Sequence, residues 1–291
     1  MSGDRNRAAL ARDERQERFR MLALGLPAFG VIGAIVIAPI LRVLWLSLLD
    51  AGGYISLANY GILVSQGANV TVIMTTLKVS LIVTAVSVLV GYPLTYFLVQ
   101  IPPRIATLCM IFVVLPYLTS VLVRTYAWMV LLGRHGIIND ALIALGITDE
   151  PLPLMFNTTA TVVGMVHMML PLLVLPLYGS MRAIDRNCLR AAASLGASPI
   201  VAFWKVWFQL SLPGLAAGTF LIFVISLGFF ITPTILGGGR VTMIAQQIAT
   251  AMTTYSGFGV ASALGIVLLV VTGAILAVVT RVVRIDLGQV Q

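Results

Sequence analysis

The sequence predicts an all-α membrane protein with six transmembrane helices. Two observations predict it. First, 59% of the 291 residues are hydrophobic and only 10% are charged, whereas a soluble domain of this size carries roughly a quarter charged residues on its surface. Second, the apolar residues gather into six runs, at about 21–43, 72–99, 105–133, 158–180, 213–236 and 260–280. Each can cross a hydrocarbon core about 30 Å thick, which takes roughly 20 helical residues. In lipid every backbone N–H and C=O needs an internal partner, so only helices and closed barrels span it. The runs lack the strict alternation of barrel strands.

Taken in order, residues 1–20 form an N-terminal tail, 21–282 the transmembrane domain and 283–291 a C-terminal tail. The tail carries Arg5, Arg7, Arg12, Arg15, Arg18 and Arg20, interleaved with Asp4, Asp13, Glu14 and Glu17. That mixture suits a surface helix or irregular chain and not a nucleic-acid-binding arm. The first apolar run is longer than a signal-peptide core and no small-residue cleavage site follows it, so it reads as a retained span. The connections at about 44–71, 134–157 and 237–259 are long enough for partial structure.

The net charge of +8 is distributed by side. The N-terminal arginines, Arg104, Arg182, Arg186, Arg190, Lys205, Arg281 and Arg284 fall on one side of the predicted bundle. The other side has only Arg134 and Arg240. By the positive-inside rule both termini are cytoplasmic.

The cytoplasmic loop at 181–212 is rich in helix signals. Asp185 is a good N-cap for a short helix through Leu195, and Gly196 supplies a left-handed stop. Ser198-Pro199 restarts a helix, with serine at the cap and proline at the first helical position. Ile200, Phe203, Trp204, Val206 and Trp207 give this second helix an apolar stripe. Leu212-Pro213-Gly214 is expected to end it and open the fifth span. Ala191, Ala192 and Ala193 give the first helix a small-residue surface on which another protein can pack.

No catalytic pattern occurs. There is no GxxxxGK[ST] phosphate loop, and Gly237-Gly238-Gly239-Arg240 reads as a flexible turn. Paired carboxylates, a nucleophile elbow and metal-ligand clusters are absent from the sequence. His135 and His167 read as hydrogen-bonded structural residues, and Cys109 and Cys188 as inert thiols. The chain is therefore expected not to be an enzyme and to bind no metal.

Within the spans, Pro93, Pro116, Pro171, Pro176 and Pro233 interrupt backbone bonding, which membrane proteins tolerate beside neighbouring helices or water-filled cavities. Ser120, Arg124 and Trp128 are four apart and share a helix face. A charge within a span usually faces protein or water. Arg124 either contacts a solute path or braces a neighbour, with Trp128 placed to stack on it. Ser120, Arg124, Tyr126 and Trp128 are the path candidates, and Lys78 is expected to snorkel outward. All ten acidic residues lie in predicted tails or loops. An ion-coupled secondary carrier would usually need intramembrane carboxylates, and they are missing.

Arg190-Ala191-Ala192-Ala193-Ser194-Leu195-Gly196-Ala197-Ser198, followed by Leu212-Pro213-Gly214, resembles the cytoplasmic EAA loop of binding-protein-dependent ABC importer permeases. Leu115-Pro116-Tyr117-Leu118-Thr119-Ser120, Val123-Arg124-Thr125-Tyr126-Ala127-Trp128, Gly136-Ile137-Ile138-Asn139, Leu170-Pro171, Leu175-Pro176-Leu177-Tyr178 and Ile231-Thr232-Pro233-Thr234-Ile235-Leu236-Gly237-Gly238-Gly239 resemble spermidine/putrescine permeases. The likeness is to the first of the two permeases in such systems. It covers roughly residues 21–282.

The resemblance implies a type I importer bundle working by alternating access. It implies a second, different permease subunit, a dimeric ATPase that uses ATP and Mg, and a periplasmic or lipid-anchored binding protein. This chain itself would bind lipid but no cofactor or nucleic acid, in a bacterial inner membrane. Asp185, Arg190, Ala191, Ala192, Gly196, Ala197 and Ser198 would form the surface that docks the ATPase. The implied solute is polyamine-like, with another small organic solute as the alternative. Two residues depart from the family pattern. Arg190 stands where the family has Glu, and Gln209 where it often has Pro. The first reverses the sign of any ion pair there, so the ATPase cleft is expected to offer Arg190 an acidic or neutral group.

Overall fold

The computed structural model describes residues 27, 30–50, 52–255 and 257–287, with side chains to 278 and at 281. The tail at 1–20 lies outside the described residues. The first helix, α1, covers Gly30–Ser47. It is followed by α2 (Ala58–Ser65), α3 (Gly67–Gln100), α4 (Pro103–Leu118), α5 (Val121–Leu132), α6 (Ile137–Ala144) and α7 (Thr158–Arg182). Then come α8 (Arg186–Ser194), α9 (Pro199–Ala202), a π-helical turn (Phe203–Trp207) and α10 (Phe208–Leu227). The chain continues through α11 (Ile231–Leu236), α12 (Ile244–Thr254) and α13 (Gly259–Leu287).

The core forms around α7, which packs on α3 and α10. Met165, Met168, Met169 and Leu173 of α7 meet Val79 and Val83 of α3 and Ile222 of α10. Because lipid tails are as apolar as leucine, such helices associate through close packing. Leu173 shows how: a Cβ at Gly91 of α3 would lie 2.7 Å from it, and one at Gly218 of α10 2.8 Å. The two glycines let both neighbours close onto one leucine. By contrast, only 6% of the α1 span is buried within the chain, so its apolar sides face lipid or another subunit.

Two spans differ from expectation. The third, expected as one helix over about 105–133, is broken between Leu118 and Val121, and its halves bend by 100°. Pro116 lacks an N–H, and Thr119 and Ser120 are extended instead of helical. The fifth, expected at about 213–236, runs instead from Pro199 to Leu227 without interruption. Pro213 lies inside α10. Proline removes one helix bond, a local cost that the apolar packing on both sides outweighs. The break falls later, at Gly228–Phe230, before α11. The sixth helix continues to Leu287, beyond the expected end at about 280. The long connections hold α2, α6 and α12.

Candidate functional site

The elbow between α7 and α10 is built by local chemistry. The Asp185 side chain accepts from Asn187 N at 2.9 Å and starts α8. The helix ends at Gly196, whose φ of +85° needs no Cβ. Ala197 N donates to Ala192 O and Gly196 N to Ala193 O, each at 3.0 Å, the paired bonds of a Schellman stop. Ser198 Oγ then accepts from Val201 N at 3.4 Å, with Pro199 at the first helical position.

No residue of α8 is buried. Arg190 is exposed and, among the described residues, donates only to Asn187 Oδ1, at 3.4 Å. Ala191 is exposed, Ala192 and Ala197 are half-buried, and Leu195 at the tip is 88% exposed. Of the expected apolar stripe, Trp207 is buried, Phe203 and Val206 are half-buried, and Ile200 and Trp204 are exposed.

The stripe is bound to α3 by aromatic side chains that the sequence reading did not single out. Tyr96 meets Phe203 edge-on at 5.2 Å and Trp207 at 5.5 Å. Tyr92 lies 5.6 Å from Phe208, and its hydroxyl bonds Ser211 Oγ at 3.0 Å. Arg186 reaches Val99 O at 3.5 Å. Displacement of α8 therefore bears on α3 as well as on α10. A signal existed in the i, i+4 spacing of Tyr92 and Tyr96, but it has no meaning until the opposing aromatics are placed.

The four path candidates separate. Ser120 and Arg124 line one cavity of about 420 Å³ with Met168, Met169 and Phe229. Tyr126 is 54% exposed and lies outside it. Trp128 packs instead in the cluster of Leu132, Ala160 and Leu236.

Arg124 is buried, and its Nη2 donates to Thr119 O at 3.2 Å and Tyr117 O at 3.5 Å. These are carbonyls freed by the break. The expected stack of Trp128 on Arg124 is replaced: the bend brings the Tyr117 ring to 5.8 Å from the guanidinium. Trp128 Nε1 donates to His167 Nδ1 at 3.0 Å, which fixes His167 as the neutral Nε2–H tautomer. A buried bond between Thr125 Oγ1 and Thr232 Oγ1, 3.2 Å, fastens the second half of the broken span to α11. Lys78 is exposed on α3, compatible with snorkelling.

No family model matches the chain. It is 31% identical over 214 residues to the spermidine/putrescine transport system permease protein PotB of Escherichia coli (strain K12), covering 74% of this chain and 78% of that one. The chain belongs to the PotB family of ABC importer permeases. The Haemophilus influenzae PotB is 33% identical over 210 residues, covering 72% of this chain and 73% of that one. Two solved bacterial alginate ABC transporter structures share the fold. One superposes with a TM-score of 0.70 at 16% identity, over 94% of this chain and 98% of that one. The other, in complex with an alginate-pentasaccharide-bound periplasmic protein, gives 0.69 at 16%, over 92% and 94%. The PotB-family chain is thus a membrane permease subunit and not an enzyme.

Proposed function

We propose that this permease forms one half of the path for a spermidine- or putrescine-like polyamine. A second permease forms the other half. A separate dimeric ATPase, using ATP and Mg, grips the elbow formed by Asp185, Arg190, Ala191, Ala192, Gly196, Ala197 and Ser198. In this reading both termini and the elbow are cytoplasmic in a bacterial inner membrane, and a periplasmic or lipid-anchored binding protein delivers the solute. The observation that carries it is the identity of 31% to 33% with relatives named as spermidine/putrescine permeases. The exposed elbow supports the docking role, since a bare leucine tip on a capped helix suits a protein cleft better than water.

Arg124 and Ser120 lie beside the path at the broken span, where Arg124 acts chiefly as a brace. A polycation passing there meets carbonyl oxygens, the Tyr117 ring and acids from the second permease, because the five unbroken described spans hold no carboxylate and Asp140 lies at the far end of the broken one.

A second reading, another small organic solute, is favoured by one observation: a buried cation at the candidate path repels a polyamine. Reconstitution with the second permease, the ATPase and the cognate binding protein decides between them. Spermidine or putrescine is expected to stimulate ATP hydrolysis at least tenfold. Stimulation by other solutes with none by polyamines would replace the first reading with the second.

A further inference from the structure

The break in the third span leaves a helix start within an apolar bundle. The 12-residue α5 begins there with Ser120 as its cap, and that cap makes no side-chain bond to the helix. No acidic residue lies in the first turn. The first N–H groups of a helix have no partner within it and carry the positive end of its dipole. Ser120 and Val121 line the cavity of about 420 Å³ together with Arg124. The Ser120 hydroxyl makes no hydrogen bond to another described residue.

A second, independent feature belongs to the same cavity. Arg124 is only 7% exposed. Its Nη2 donates to the Thr119 and Tyr117 carbonyls, while Nε and Nη1 are buried with no acceptor among the described residues. Most of the remaining wall is apolar, formed by Met168, Met169, Leu172, Ile225 and Phe229, and no carboxylate lines it. The polar groups left without partners can all donate. A buried charge is costly until a group of opposite sign compensates it. A donor set of this kind at a helix N-terminus selects an anion.

We infer that this cavity binds one small monovalent anion of the carboxylate or halide class, held by the Arg124 guanidinium, the Ser120 hydroxyl and the N-terminus of α5. The anion arrives as a free counter-ion or as the solute's own carboxylate, and the chemistry that receives it is the same. Once bound, it neutralises Arg124, so a polyamine passes a residue that would otherwise repel it. That consequence rests on the importer reading, whereas the site rests on the geometry of the break alone.

The test uses the whole importer in neutral-lipid nanodiscs, with empty nanodiscs as the blank, and reads acetate binding by saturation-transfer NMR on the methyl protons. The parent is expected to give a saturable signal that chloride displaces. Arg124→Gln, whose amide can keep the bond to Thr119 O, is expected to lose about nine-tenths of it, and Arg124→Lys, which keeps the charge, to retain about a third or more. Equal signals from the parent and Arg124→Gln would overturn the inference. So would no saturable signal from the parent, which would assign the pairing of Arg124 to an acid of the second permease. Two arms separate the sources. For a free counter-ion, replacing acetate and chloride by a bulky sulfonate at constant ionic strength lowers polyamine-stimulated ATP hydrolysis about fivefold in the parent and leaves that of Arg124→Gln unchanged. For a solute carboxylate, an amino carboxylate displaces acetate at concentrations about tenfold below those of the amine-free carboxylate of equal length. Either result upholds the site. Acetate binding in an importer whose hydrolysis responds to no solute would uphold the site and remove the importer reading.

Discussion

At the residue scale, Arg124 is held at a cost. Its two bonds, at 3.2 and 3.5 Å, are long, while Nε and Nη1 are buried without partners among the described residues. Ordinary hydrogen bonds contribute about 1 kcal/mol each. Burying an incompletely paired cation costs several kcal/mol, and an apolar residue of similar volume is often neutral or better. Arg124→Met is therefore expected to leave the thermal melting of the purified permease complex unchanged or raised, while polyamine uptake falls at least fivefold. A melting temperature lowered by 10 °C or more would show that the guanidinium has a stabilising partner beyond these bonds.

The Trp128–His167 bond makes a separate prediction. Trp128→Phe and His167→Phe should each destabilise, and a double-mutant cycle on melting should give a coupling of about 0.6–1.5 kcal/mol. Coupling near zero would mean that the 3.0 Å contact carries no energy.

At the element scale, the elbow was legible because its signals are local. Asp185, Gly196 and Ser198-Pro199 each act within one helical turn, and each lies where the chain order placed it. The spans were legible where apolar length alone decides, as in α3 and α7. Proline was not. Pro116 precedes a 100° break, Pro213 lies inside a continuous helix, and Pro93, Pro171 and Pro176 are likewise absorbed. The residue is the same in each case, and the outcome depends on neighbouring helices that a single sequence does not display. The same limit hid Tyr117 as the partner of Arg124 and Tyr96 as the partner of Phe203.

The elbow's mechanics can be probed at both of its joints. Gly196→Ala must hold a Cβ in the left-handed region, costing roughly 1–2 kcal/mol. It should insert normally yet lower solute-stimulated hydrolysis several-fold. Tyr96→Ala removes the edge contacts to Phe203 and Trp207. It should leave ATPase binding intact, measured by co-purification, while reducing transport per ATP. Unchanged transport per ATP would mean that α3 does not carry the elbow's motion.

At the scale of the whole molecule, the chain is one part of an assembly. Its α1 is nearly bare, and large apolar side chains such as Phe112 and Leu118 of α4 are 70% and 78% exposed. Lipid covers some of this surface, and in the proposed assembly a second permease covers the rest. Charge bias suggested an orientation because it depends only on which residues lie between spans. Solute identity was not legible, because no residue type in the spans is particular to polyamines.

The central claim, that the α8–α9 elbow receives a separate ATPase, is tested most directly by crosslinking. Cys188 is an exposed free thiol on α8, and Leu195→Cys would place a second at the tip. With short crosslinkers that are thiol-reactive at one end and photoreactive at the other, in an importer that is actively transporting, both positions are expected to yield a covalent product with the ATPase subunit, its yield changing between nucleotide-free and ATP-bound states. Transport in the same preparation with no such product from either position would contradict the account.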